Sequence, residues 1–172
     1  MNKRRPSMTH SKPKMIALPG KQELFIEYEL DAPRDVVFRA YTDPKLVAQW
    51  MGPCELTTNF EKFEPRNGGM WRFIQKDPKG NEYGFHGVFH EVSPERIIQT
   101  FEYDGLPESG HVSLQTAWFE ALPGGRTRVT VQDVFMSVAD RDGMMQAGME
   151  RGVNEGFERL NEVLEKEMAM AK

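Results

Sequence analysis

The stretch from Cys54 to Phe135 constrains the fold most, because strand patterns follow one another there with no helical pattern between them. Bulky apolar residues recur at alternate positions in six segments, and clusters of Gly, Pro, Asn and Asp separate these segments. The predicted strands are roughly Glu55–Phe63, Met70–Gln75, Tyr83–Val92, Arg96–Tyr103, Val112–Ala121 and Thr127–Phe135. Short turns between consecutive strands predict an antiparallel meander.

The flanking segments add one strand and three helices. Gln22–Leu30 alternates like a half-buried strand, Arg34–Thr42 has the apolar stripe of a short helix, and Asp43-Pro44 is a typical start for a second helix. Asp140 to about Lys166 carries apolar residues at helical spacing, which predicts one long amphipathic helix. We therefore expect an α+β protein in which a curved seven-stranded antiparallel sheet wraps around the long C-terminal helix.

Length and charge predict one domain with two tails. The expected domain spans residues 23–166, after a flexible basic N-terminal tail over 1–22 and before a C-terminal tail over 167–172. Six of the 22 basic residues and none of the 26 acidic residues lie in 1–22, so the remainder carries 16 basic and 26 acidic side chains. Such an acidic body is not expected to bind nucleic acid.

Cysteine content and hydropathy predict a compartment. Cys54 is the only cysteine, which excludes an internal disulfide and fits a reducing environment. No apolar run approaches the ~20 residues that a membrane-spanning helix requires, and no secretory signal follows the basic start. We expect a cytoplasmic protein.

The aromatic residues of the predicted sheet suggest either a solid core or the wall of a cavity. From alternation alone a packed core is the commoner outcome. Gly148, Gly152 and Gly156, however, form a stripe along the long helix, where each glycine costs about 1 kcal/mol relative to alanine. Close backbone packing or a bordering cavity would explain that cost. The predicted cavity lining is Trp50, Trp71, Phe73, Phe85, Phe101, Tyr103, Phe119, Asp133, Met149 and Val153.

Asp133 is the one carboxylate that the strand pattern groups with apolar neighbours. If it points inward it must be paired, hydrogen-bonded or protonated; the alternative is that it points to solvent at a strand end. His86 and His90 share a face but lack a third ligand, so we expect neither a metal site nor a cofactor. No nucleophile or phosphate-binding motif is present, and no catalytic residue is assigned.

Several segments together resemble a known family. These are Asp31-Ala32-Pro33, Val37 to Pro44, Trp50-Met51-Gly52-Pro53, Glu64 to Gly69, and the hairpin Gly87 to Arg96. They resemble the bacterial and archaeal domains named after the activator of a heat-shock-protein ATPase. That family belongs to the START-like superfamily, together with polyketide cyclases and the birch-pollen allergen. The resemblance implies the helix-grip fold and a cavity that often holds an apolar ligand, but no shared catalytic residue.

Three functions follow as alternatives. The favoured one is non-enzymatic binding of an apolar small molecule or lipid, with Asp133 orienting the guest. The second is an enzyme of the polyketide cyclase type that uses Asp133 as a general acid or base. The third, suggested only by the family name, is a regulator of a chaperone ATPase. Trp118 and Phe25, on the expected outer faces, would suit a homodimer contact.

Overall fold

The computed structural model describes residues 10–172, which form eight strands and four helices. Within this range, none of the helices combines the length with the apolar composition that a membrane-spanning helix requires. Lys3, Arg4 and Arg5 of the predicted tail lie outside the described residues. The elements are β1 (Lys14–Ile16), β2 (Glu23–Leu30), α1 (Arg34–Thr42), α2 (Pro44–Trp50), β3 (Thr57–Phe63), β4 (Met70–Lys76), β5 (Glu82–Val92), β6 (Arg96–Tyr103), β7 (Ser113–Leu122), β8 (Arg126–Val134), α3 (Val138–Gln146) and α4 (Met149–Met170).

All the strands described form one antiparallel sheet in the order β1-β2-β8-β7-β6-β5-β4-β3. The sheet has eight strands, so the expected count of seven was wrong. The additional strand is β1, which pairs with β2 through Met15 and Ile26 and lies inside the segment predicted to be a flexible tail. Its three residues are too few for a period of two to be visible in the sequence. At the other end, α4 extends to Met170, past the expected limit at residue 166.

A three-residue turn at Ser93-Pro94-Glu95 predicts that Val92 faces Arg96, that Phe89 faces Gln99 and that Phe85 faces Tyr103. The hairpin of β5 and β6 keeps most of this register. Phe85 pairs with Tyr103 and Phe89 with Gln99, as the turn position predicts. Between Phe89 and Glu91 the register shifts by one residue, so Val92 pairs with Ile97 and not with Arg96. A second shift interrupts the pairing of β3 with β4. Such bulges bend the strands that carry them, which helps the sheet to curve.

Helices α1 and α2 cross one part of the concave face of the sheet. The side chain of Asp43 accepts a hydrogen bond of 2.9 Å from the backbone N–H of Lys45, and Pro44 occupies the first helical position of α2. The indole Nε1 of Trp50 donates to the carbonyl oxygen of Ala40 over 2.9 Å. That bond links the end of α2 to α1 and fixes the orientation of the Trp50 ring.

The predicted single long helix is two helices. Helix α3 ends at Gln146, and α4 begins after Gly148, which has a φ of +94°. Residues with a side chain rarely adopt this left-handed conformation, so the chain turns at the one residue type that tolerates it. The helical stripe of Met145 and Met149 continues across the break, which is why periodicity alone did not reveal it.

Part of the space between the helices and the sheet is solid. Val37 and Ala40 of α1, Val129 of β8 and Leu160 of α4 are fully buried in one cluster, and Leu164 of α4 is buried in the same cluster. Phe119 of β7 also belongs there, with its ring packed edge-on against Phe38 and Tyr41. The C-terminal half of α4 therefore contacts a conventional close-packed core.

Candidate functional site: a cavity under helix α4

Beside the solid core lies a cavity in two joined compartments of about 190 and 290 Å³. The sheet forms its floor, and α2 and the N-terminal half of α4 cover it. Both compartments exceed the roughly 150 Å³ at which an engineered apolar cavity binds benzene. The residues common to both compartments are Tyr28, Trp50, Met51, Phe73, Phe101, Gln115 and Val131.

The smaller compartment, which we call the aromatic compartment, is bounded by rings from β3, β4, β5 and β6. Trp71 and Phe73 stack on one strand with centroids 5.4 Å apart, and Phe60 of β3 meets Phe73 edge-on at 5.4 Å. Trp71 also lies over Gly87 of β5, where an added Cβ would come within 2.6 Å of the indole. The glycine thus makes room for the indole. The remaining lining residues are Tyr41, Val47, Phe63, Phe89, Ile97, Gln99 and Ala117.

The larger compartment, which we call the Asp133 compartment, lies under the first turns of α4. Met149, Gly152 and Val153 of α4 line it, together with Met144 of α3 and Ile26 of β2. Gly152 has only ordinary contact with Pro53, 3.8 Å from a Cβ placed there. A Cβ on Gly156 would lie 3.1 Å from the carbonyl oxygen of Trp50. The two explanations for the glycine stripe therefore hold at different positions. Gly152 borders the cavity, whereas Gly156 also permits close approach between α4 and the end of α2.

A row of polar side chains crosses the floor of the cavity. Gln99, Gln115 and Asp133 are neighbours in the register of β6, β7 and β8 and therefore share the concave face. Gln99 Nε2 donates to Gln115 Oε1 over 3.1 Å, and Gln115 Nε2 donates to Asp133 Oδ2 over 3.0 Å. The row ends at Asp133, whose partner on the other side is the buried Leu24.

Asp133 is buried, with 2% of its surface exposed, and lines the compartment named after it. Its Oδ1 has no hydrogen-bond partner among the described residues. Burial raises the pKa of the Asp133 carboxyl, and the side chains of Gln115 and then Ser113 oppose that rise only in part. Of the two orientations that the sequence left open, the inward one is found.

Two tyrosines lie beside the cavity on the side of α1. The hydroxyls of Tyr28 and Tyr41 are hydrogen-bonded to each other. Burial raises the pKa of the Tyr28 phenol. The Tyr41 ring lies 4.8 Å from that of Trp50, and the Tyr28 ring meets Phe157 edge-on at 5.3 Å. These contacts fix the rings that separate the cavity from the solid core.

A third hollow of about 550 Å³ adjoins the Asp133 compartment at the end of the sheet. It shares Phe101 and Met144 with that compartment. The other residues that line it are Tyr103, Leu106, Pro107, Glu108, His111, Ser113, Phe135, Ala139, Asp140, Gly143 and Ala147. Helix α3 is held there by the buried Arg141, whose Nη1 donates to the carbonyl oxygen of Leu18 over 2.5 Å.

The ten residues predicted to line a cavity have three different positions. Tyr103 lines the third hollow, which Phe101 shares with the Asp133 compartment. Phe85 stacks behind Phe73 with centroids 5.1 Å apart, and Phe119 lies in the solid core, so neither lines a compartment. The members of the predicted set found around the two compartments are Trp50, Trp71, Phe73, Phe101, Asp133, Met149 and Val153. Ligand binding by these residues stays a prediction.

The sequence reasoning did not select several lining residues. Tyr28 lies on the apolar face of the predicted strand Gln22–Leu30, and Gln115 precedes Ala117 and Phe119 on the same face, so the period of two was sufficient to find both. Gln75 is buried beside Met51 and donates to Thr58 Oγ1 over 3.3 Å, which no local pattern indicated. The side on which the helices leave space depends on packing between distant segments.

The charged clusters outside the cavity have partners of their own. His86 Nδ1 lies 2.6 Å from Asp104 Oδ1, and Arg72 contacts the same carboxylate. Elsewhere Cys54, Glu55 and Glu155 place possible metal-ligand atoms within 4.8 Å of one another. Arg151 bonds both of those carboxylates, which supplies the positive charge that a cation would bring.

The fold and the cavity define a helix-grip protein of the START-like type, and comparison with known proteins gives the family. Residues 31–165 match the family model described as "Activator of Hsp90 ATPase homolog 1-like protein". The chain belongs to this family. No curated protein matches it.

Solved structures agree with that assignment. A protein from Arthrobacter aurescens, solved by NMR, is 27% identical in sequence and superposes with a TM-score of 0.77. The match covers 84% of this chain and 87% of the Arthrobacter chain. A protein from Rhodobacter sphaeroides, solved by crystallography, is 23% identical with a TM-score of 0.80. The match covers 91% of this chain and 99% of the Rhodobacter chain. An uncharacterised protein from Rhizobium leguminosarum is 30% identical with a TM-score of 0.62. The match covers 90% of this chain and 97% of the Rhizobium chain. The Rhodobacter likeness shows the fold alone.

Proposed function

We propose that this protein binds an apolar small molecule in the cavity between the sheet and helices α2 and α4. The observation that carries the proposal is the pair of joined compartments of about 190 and 290 Å³, walled by aromatic rings and methionines. A protein that needed only stability would fill such a space, because empty apolar volume costs about 24 cal/mol per Å³. An apolar guest would recover contacts that the unfilled walls lack.

The lining also supports binding over chemistry. Polar side-chain groups are few: the amides of Gln75, Gln99 and Gln115, the hydroxyls of Tyr28 and Tyr41, the indole N–H groups of Trp50 and Trp71, and the carboxyl of Asp133. This ratio of many rings to few polar groups is typical of a site that orients a guest. Met51, Met144 and Met149 give the wall side chains that adapt to guests of different shape.

A titration with the neutral fluorophore N-phenyl-1-naphthylamine tests the proposal. We expect saturable binding with an increase in fluorescence. The variant Ala117→Leu places a larger side chain in the aromatic compartment and should weaken binding at least fivefold. Ala121→Leu is the matched control, because Ala121 is exposed further along the same strand and lines neither compartment. No saturable binding to the wild-type protein would refute the proposal.

A second candidate is an enzyme that uses Asp133 as a general acid or base. The observation in its favour is that Asp133 lies in the cavity and that burial raises the pKa of its carboxyl, which is the direction of shift that a general acid needs. Incubation with cyclisable poly-β-ketone substrates, followed by mass spectrometry, tests this candidate. Turnover that Asp133→Asn abolishes would support it, and turnover unchanged in that variant would exclude Asp133.

Regulation of a chaperone ATPase rests on the family description alone. The test is to measure the rate of a purified Hsp90-type ATPase at saturating concentrations of this protein. An unchanged rate would exclude this function.

Sedimentation of the full chain tests the predicted homodimer. Trp118, which is 37% exposed on β7, is the candidate contact.

A further inference from the structure

We infer that the guest of this cavity carries a protonated amine, with Asp133 Oδ1 as its acceptor and counter-ion. The inference rests on the proposed function and names the chemistry of the guest. It would make the cavity a site for an aromatic or alicyclic amine, as opposed to one for any sufficiently apolar molecule.

The first observation is the unpartnered oxygen. Asp133 is 2% exposed, and its Oδ2 accepts a hydrogen bond from Gln115, whereas Oδ1 accepts none of normal geometry within the described part of the chain. The buried Ser113 hydroxyl lies close enough to lower the pKa of this carboxyl, but it too lacks a hydrogen bond of normal geometry. Buried polar atoms without partners are rare in folded proteins, and each one requires an explanation. A donor on a guest in the Asp133 compartment would complete the hydrogen bonding of this carboxyl.

The second observation is the direction of the polar row. Gln99 directs its amide N–H toward Gln115, and Gln115 directs its own toward Asp133. Both amides therefore present donors in the direction of the carboxyl, which favours the carboxylate as an acceptor at the end of the row. A guest that donates continues this pattern, whereas a guest carboxylate would face another acceptor of the same charge.

The third observation is the balance of charge. Lys, Arg and His are absent from the described residues that line the Asp133 compartment, on β2, β7, α3 and α4 alike. Tyr28 is the only other titratable side chain in that lining. A buried carboxylate without a counter-charge is costly, and an ammonium group supplies that charge where an alcohol supplies only a donor. The rings of Tyr28, Trp50, Phe73 and Phe101 would attract the same cation through their faces.

Four matched indoles test the inference by calorimetry on the full chain at pH 7. They are tryptamine, tryptophol, 3-ethylindole and indole-3-propionate, which share one ring and differ in the end group. We expect tryptamine to bind about tenfold more tightly than tryptophol, since a charged hydrogen bond exceeds a neutral one by roughly that factor. Indole-3-propionate should bind more weakly than 3-ethylindole.

The same series separates failure of the inference from failure of the proposed function. Binding of 3-ethylindole with no preference for tryptamine over tryptophol would overturn the amine and keep the apolar site. If none of the four bound, the indole-sized apolar site itself would be refuted. The variant Asp133→Asn should lose the preference for tryptamine over tryptophol but should still bind 3-ethylindole. The control is Asp35→Asn, which changes an exposed carboxylate on α1 and should keep both the preference and the binding of 3-ethylindole. A preference for tryptamine that survived in Asp133→Asn would also overturn the assignment.

Discussion

The two halves of helix α4 face the same sheet, but only one of them packs tightly against it. From Leu160 onward the helix buries Val163 and Leu164, whereas Met149, Gly152 and Val153 are half-buried and line the cavity. The apolar stripe has the same helical spacing in both halves. What differs is the opposing surface: α1 fills the space beside the C-terminal half, and the space beside the N-terminal half stays hollow. A uniform amphipathic helix can therefore be stabilised by one half and leave the other for binding.

The largest expected effect compares truncations in the two halves. Leu164→Ala should lower the free energy of unfolding by about 2–5 kcal/mol, because it creates a void in a close-packed cluster. Val153→Ala, at the hollow end, should cost less than about 1 kcal/mol, because its side chain already borders empty space. Urea denaturation measures both. Equal losses after scaling for the number of carbons removed would show that the two halves do not differ.

The next effect concerns the carboxyl in the hollow half. Because the pKa of Asp133 is raised in the folded state, ionisation lowers stability as pH rises above the ordinary value of 3.8. Asp133→Asn should therefore be more stable than wild type at pH 7, by about 1 kcal/mol. This advantage should shrink as pH falls toward 3.8. Thermal unfolding of both proteins across that range measures it, and an advantage that grew on acidification would contradict the buried position.

A smaller effect separates the two glycines of the stripe. Gly152→Ala should raise stability by about 0.5–1 kcal/mol, since it gains helix propensity and its Cβ meets only ordinary contacts. Gly156→Ala should gain less, because its Cβ would press on the Trp50 carbonyl oxygen at 3.1 Å. Urea denaturation of the two variants measures this, through the difference between their unfolding midpoints. A larger gain for Gly156→Ala would contradict the close contact between α4 and the end of α2.

The smallest effect lies at the rim of the hollow half. The carboxylate of Glu155 accepts the backbone N–H of Cys54 over 2.7 Å and bonds Arg151 over the same distance. The hydrogen bond from Cys54, followed by that from Arg151, lowers the pKa of Glu155 to about 2. Its contribution to stability is present above the ordinary value of 4.5 and is lost as pH falls toward about 2. Wild type and Glu155→Gln should therefore converge in stability over that interval, and a constant difference would refute this contribution.

Much of the fold was accessible from alternation and turn residues. The six strands after Cys54 and the register of Phe85 with Tyr103 follow from a period of two and a short turn. Strand β1 was missed because Lys14–Ile16 is too short to show a period, and the break at Gly148 was missed because the apolar stripe continues across it. The family resemblance was confirmed over residues 31–165.

The sequence by itself determined which residues alternate onto the concave face, because side chains of a strand point to opposite faces in turn. It thereby grouped Trp71 with Phe73 and placed Asp133 among apolar neighbours. Only the tertiary structure decided which of these side chains meet a helix and which meet empty space. That outcome depends on how far α1, α2 and α4 extend over the sheet. The close approach of α4 to α2, for example, is set by Trp50 and Gly156, which are far apart along the chain. The tertiary structure also decided that Asp133 is buried with one oxygen unpartnered. Asp133 lies on β8, and it is buried only because α4, a later segment of the chain, covers that strand.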